Sequence, residues 1–189
     1  MVKKVLGQWP HYSAEEINKV SDVLKSNKVN YWTGEECKKF EVEFALWLGC
    51  EHAVAVMNGT VAIEVALRAI GVSVGDEVIV TPRSFFASVS PVVTVGAKPV
   101  FADVQLNSGN ICPNSISKLI TKNTKAIICV HLAGWPCDMD EIMQIAKENN
   151  ANTFFSFDNP RKSPTVFRNY ETYIYDFACL RILDKIYHY

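Results

Sequence analysis

No glycine follows Gly134 in this 189-residue chain; all nine lie at or before it. An α/β enzyme uses glycine where backbone turns sharply or comes close to a ligand, so the glycine-free tail, rich in Tyr and Phe and carrying the basic cluster NPRKSPTVFRN, is a poor continuation of what precedes it. Also missing is any apolar run near the roughly 20 residues that a membrane-spanning helix needs. The start MVKKVLGQWPHY has no apolar core or cleavage site, so no secretory signal is expected and a cytoplasmic location follows. Net charge is -1 with no long run of one sign, which leaves no electrostatic footprint for nucleic acid or an anionic membrane. The six cysteines lack C-x-x-C or Cys/His ligand spacing; they read as reduced thiols, with no metal site. No G-x-G-x-x-G follows any predicted strand, which disfavours a dinucleotide-binding enzyme.

What is present is alternation. Ser13 to Glu16 form a capping-box pattern leading into INKVSDVLKSN, with apolar positions 17, 20, 23 and 24. A second helix is predicted in EECKKFEVEFALWLG, with Gly49 placed to cap its end. Short apolar runs then precede helical patterns: HAVAVM before TVAIEVALRAI, DEVIV before SFFASVSPVV, KAIICVHL before DMDEIMQIAKENN. KPVFADV and TFFSF read as further strands. The pattern predicts an α/β fold, a mostly parallel sheet sandwiched by helices. Three segments follow from it: residues 1–30 as an amino-terminal helical segment, 31–158 as the main α/β domain, and 159–189 as a divergent tail.

Asn58-Gly59-Thr60 reads first as a hairpin turn, since Asn-Gly between apolar stretches is a strong hairpin signal. From Val61 to Ile70, however, only Glu64 and Arg68 are charged and they stand four apart, which is helical spacing. The turn therefore joins a strand to a helix, and Gly59 and Thr60 set free N–H groups and a hydroxyl at a helix start, a ready phosphate site. Asn58 or Thr60 acting only as a helix cap is the alternative. Phe85, after the strand EVIVTP, would lie at the sheet edge where open α/β folds bind ligands, or else in the core. Asp158, ending TFFSF, would bring a carboxylate to the same crevice, or sit in a solvated turn. His131 reads as structural, and Asp138 with Glu141 as a second capping box.

Taken in order, NYWTGEECKKFEVEFALWLGCEHAVAVMNGTVAIEVALRAIGVSVGDEVIV, TPRSFFAS, GAKPVFADV and TKAIICVHLAGWPCDMDEIMQIA resemble the amino-terminal half of the DegT/DnrJ/EryC1/StrS family. The resemblance covers roughly residues 7 to 150. It implies part of the large domain of a fold-type I aminotransferase that uses pyridoxal 5'-phosphate (PLP). The implied substrates are a nucleotide-linked keto sugar and an amino donor such as glutamate, and the family assembles as homodimers. It also implies roles: Gly59 and Thr60 hold the cofactor phosphate, Phe85 stacks on its ring, Asp158 pairs with the ring nitrogen, and Trp32, Thr33 and Gly34 lie near the sugar. The family's usual Asp-x-Ala-Gln is Asp158-Asn159-Pro160-Arg161 here. Lys185 stands near the distance expected of the lysine that holds the cofactor covalently, but RILDKIYHY lacks the serine, phenylalanine and glycines that surround it in the family. The expectation is a truncated member with doubtful activity, the alternative being a noncatalytic partner that dimerises with a full-length aminotransferase.

Overall fold

The computed structural model describes residues 11–48, 51–157 and 173–174. The chain divides into two compact units, Met1–Phe40 and Glu41–Tyr189. Within the first lies helix α1 (Ala14–Lys25), opened by the full capping box: Glu16 N–H donates to Ser13 Oγ (3.2 Å) and Ser13 N–H to the Glu16 carboxylate (2.6 Å). None of its residues is buried. Helix α2 (Glu36–Leu48) runs across the boundary between the units; Gly49, its expected cap, lies outside the described residues.

In the second unit the sheet order is β2-β1-β3-β4-β5, all parallel: β1 (Glu77–Val80), β2 (Lys98–Phe101), β3 (Thr124–His131), β4 (Asn152–Phe157) and β5 (Tyr173–Ile174). Successive side chains point to opposite faces, and both faces are covered. Val78 and Val80 of β1, with Ala126 and Ile128 of β3, pack under α3 (Gly59–Ala69) and α4 (Ser90–Thr94) through Ala62, Ile63, Ala66, Leu67, Val92 and Val95. Ile79, Ile127 and Cys129 pack on the other face with α5 (Pro113–Leu119) and α6 (Met139–Glu148) through Ile116, Met139, Ile142, Ile145 and Ala146. The α/β sandwich predicted from alternation is therefore present.

Three local expectations fail. HAVAVM forms no strand: among the described residues nothing pairs alongside it, and the Ala55 N–H donates to the Glu41 carboxylate instead (2.9 Å). SFFASVSPVV is not one helix but a 3₁₀ turn at Phe86–Ser88 followed by α4, whose first turn contains Pro91. The Asp138 box does not close, because its carboxylate accepts from Gln105 Nε2 (2.6 Å) rather than from its own helix.

The handedness of the connections sets where a ligand can enter. β1 continues to α4 on one face, whereas β3 continues to α6 on the other. In a doubly wound sheet such a reversal opens a crevice beyond the carboxyl ends of the two strands involved, here β1 and β3.

Candidate functional site

α3 is positioned by its exit. Its last turn leads through Gly71 and Gly75 to the amino end of β1, so the helix runs opposite to the strand and its start lies at the carboxyl edge of the sheet. Asn58 caps it with extended backbone, its side chain accepting from the Val61 N–H (3.0 Å) and its carbonyl from the Ala62 N–H (3.1 Å). Capping thus satisfies the third donor of the helix and leaves the first two, Gly59 and Thr60, without a partner among the described residues. The two alternatives open in the sequence are compatible, since the cap uses the Val61 N–H and an anion would use those of Gly59 and Thr60.

Electrostatics distinguishes α3 from the other long helices, while the short α4 and α5 likewise have no acid in the first turn. α1, α2 and α6 each carry an acid in the first turn, which offsets the positive end of the helix dipole. α3 carries none. Behind that turn, Arg68 holds Glu64 through Nε and Nη2 (2.9 and 2.8 Å), one turn further along the helix.

Phe85 follows β1 and precedes the 3₁₀ turn that packs against α3. Its side chain is 73% exposed, so the core alternative does not hold and the ring is available at the crevice. Ser84 and Ser88 hydroxyls bond across that turn (2.8 Å). The structure therefore brings the loop of Phe85 and the α3 helix of Gly59 and Thr60 to one edge. Asp158 and Lys185 lie outside the described residues. Trp32, Thr33 and Gly34 belong to the first unit, where Asn30 Oδ1 accepts from the Trp32 N–H (3.0 Å), the Thr33 N–H (3.0 Å) and the Thr33 hydroxyl (3.1 Å). A Cβ on Gly34 would lie 2.6 Å from the Lys28 carbonyl oxygen, so this turn requires glycine, and it presents Trp32 at 88% exposure.

The β3 loop forms the other wall of the crevice. His131 is fully buried and its Nδ1 accepts from the Cys137 N–H (3.0 Å); burial pushes its pKa down to about 4, so it is a neutral structural histidine at neutral pH. Burial also raises the Cys129 thiol well above its usual range, and burial with the neighbouring Asp138 charge pushes Cys137 up to about 12, so neither offers a thiolate. Among the described residues no three His, Cys, Asp or Glu side chains gather to hold a metal.

Sequence reasoning passed over Arg83, Gly109, Asn110 and Trp135. Asn110 is almost wholly buried; its Nδ2 donates to the Trp135 carbonyl (2.9 Å) and its Oδ1 accepts from the Leu132 N–H (3.1 Å). Single loop residues of this kind leave no periodic signal. The one available clue is Gly109-Asn110, a pair suited to left-handed turns.

Comparison with known proteins places these features. Residues 10–155 match the model of the DegT/DnrJ/EryC1/StrS aminotransferase family. The chain is 40% identical over 140 residues to the spore coat polysaccharide biosynthesis protein SpsC of Bacillus subtilis (strain 168), covering 74% of this chain and 36% of that protein. It is 40% identical over 141 residues to the GDP-perosamine synthase of Escherichia coli O157:H7, covering 75% and 38%. The chain thus spans under two fifths of the length of these curated relatives. Among solved structures, the aminotransferase from Psychrobacter cryohalolentis superposes with a TM-score of 0.76 at 54% identity, over 79% of this chain and 38% of that one. NtdA from Bacillus subtilis with bound cofactor PMP gives 0.69 at 33% identity, over 74% and 32%. DesI in the presence of its TDP-sugar product gives 0.66 at 30%, over 74% and 35%. With the motifs, the doubly wound sheet and the family match in agreement over most of its length, the chain belongs to the DegT/DnrJ/EryC1/StrS aminotransferase family.

Proposed function

We propose that this chain carries the cofactor-holding part of a PLP-dependent aminotransferase acting on a nucleotide-linked keto sugar in the cytoplasm. The observation that carries the reading is the acid-free start of α3, with two unclaimed N–H groups, at the same sheet edge as an exposed phenylalanine. These residues fit a flat ring bearing a phosphate, and NtdA, a structural relative, holds PMP.

When bound, the cofactor supplies an electron sink for moving an amino group between substrates. Gly59 and Thr60 would donate their N–H groups, and Thr60 its hydroxyl, to the phosphate. Phe85 would cover one ring face and exclude water from it. We assign to Asp158 the partner of the protonated ring nitrogen and to Lys185 the covalent hold and the proton relay, both from their place in the family pattern. Trp32, Thr33 and Gly34 would meet the sugar, with glutamate or a similar amine as donor and a homodimer as the assembly. The relatives' names, a GDP-perosamine synthase and a DesI crystallised with its TDP-sugar product, support the substrate class.

The test is titration with PLP followed by absorbance, borohydride reduction and peptide mapping. The expected result is a bound chromophore and a reduced adduct on Lys185. Phe85→Ala should weaken binding about ten-fold, the size of an aromatic stacking contribution. No binding by any method overturns the proposal. One observation favours a second reading, a noncatalytic partner of a full-length aminotransferase: the residues flanking Lys185 lack the family's glycines. Cofactor binding without an adduct, together with coelution with such an enzyme, would decide for it.

A further inference from the structure

One turn in the β2 loop touches both walls of the crevice. Gly109 is buried and has φ +72°, a conformation that L side chains rarely adopt, and a Cβ built there would collide with Arg83 Nη1 and lie 2.7 Å from Arg83 Cζ. The guanidinium of Arg83 therefore lies against the Gly109 backbone, in a seat that only glycine leaves open. No carboxylate pairs with it among the described residues. The next residue, Asn110, ties down the opposite loop through the Trp135 carbonyl and the Leu132 N–H. Its own carbonyl accepts from the Gln105 N–H (2.8 Å), so the turn is fixed from three sides. Between those two contacts Ala133 and Gly134 both adopt positive φ (52° and 78°), and Trp135 emerges 66% exposed.

The result is a cation from the loop after β1 and an aromatic from the loop after β3, both anchored on adjacent residues of the loop after β2. Covalent reach keeps the guanidinium and the Trp135 carbonyl within roughly 14 Å of each other. Arginine suits paired phosphate oxygens, and an exposed indole accepts the face of any base. We propose that the Gly109-Asn110 turn organises a nucleoside diphosphate subsite in which Arg83 binds the diphosphate and Trp135 stacks on the base. This rests on the aminotransferase reading and names where its nucleotide-linked substrate is held.

The experiment is calorimetric titration of the full chain with GDP, TDP, inorganic pyrophosphate and 2-oxoglutarate, with PLP titrated separately. Arg83→Ala should weaken GDP, TDP and pyrophosphate alike by about ten-fold or more, as loss of a charge-assisted contact does, and leave PLP unchanged. Trp135→Ala should weaken the two nucleotides by about ten-fold and spare pyrophosphate. Gly109→Ala keeps the charge but evicts it from its seat, and should mimic Arg83→Ala. Should that variant fail to fold, the two exposed-residue variants still decide the matter. Unchanged GDP affinity in Arg83→Ala overturns the proposal, as does a wild-type chain that binds neither nucleotide. If 2-oxoglutarate alone responds to Arg83→Ala, the cation serves the carboxylate of the amino donor and the proposal likewise falls. Failure of PLP to bind while GDP responds as described would sink the cofactor reading and leave this one standing.

Discussion

Helices α1 and α3 are almost the same length, 12 and 11 residues, and each opens on a side-chain cap, Ser13 for one and Asn58 for the other. They differ in what they bury. α3 buries Ala62, Ile63, Ala66 and Leu67 against the sheet, whereas α1 buries nothing and leaves Ile17, Val20 and Leu24 exposed. Caps and periodicity specify that a segment is helical; burial depends on what lies opposite. A helix this short is marginal in water on local signals alone, so the stability of α3 comes from its packed face.

The sharpest test of that contrast is a pair of truncations. Leu67→Ala should cost about 2–5 kcal/mol in urea unfolding, through lost transfer energy and the cavity left behind. Leu24→Ala should stay within about 0.5 kcal/mol, as exposed positions do. Comparable losses would break the comparison. Next in size is a pH effect confined to the sheet unit, the one with a buried histidine among the described residues. His131 takes a proton at about pH 6.5 when the chain is unfolded and only near 4 when folded. Its contribution is therefore intact above 6.5 and lost as pH falls towards 4, by about 3 kcal/mol in all. His131→Phe should flatten that part of the stability curve.

Removing caps should cost about 1 kcal/mol locally in either helix. Asn58→Ala should lower global unfolding stability, because α3 is part of the core. Ser13→Ala should appear only as faster amide exchange within α1. The smallest effect belongs to Arg68→Ala, about 0.3–0.5 kcal/mol, vanishing at high salt because the pair with Glu64 is on the surface.

The same contrast explains what was legible in the sequence. The runs DEVIV and KAIICVHL are mostly apolar because both sheet faces are covered, and that constraint is written along the strands from Val78 to Val80 and from Ala126 to Val130. The helix after Asn58 declared itself through the four-residue spacing of Glu64 and Arg68. HAVAVM misled because an apolar run makes a strand only where a neighbour offers a ladder. Asp138 misled because a cap is one option for a carboxylate, and Gln105, 33 residues away, offered another. Helix α5 went unread: it is short, and it opens on Pro113 without a side-chain cap. At the candidate site, Gly59, Thr60 and Phe85 could be singled out as candidates because they stand at element boundaries. Arg83, Gly109, Asn110 and Trp135 could not, since their meeting depends on three loops converging in space.

The crevice walls grow from opposite sides of the sheet, one over the packing of α3 and α4, the other over that of α5 and α6. A change of sequence that reshapes one wall is insulated from the far layer by the strands between them. Such an arrangement lets the helices of one layer be repacked while the layer across the sheet is inherited intact.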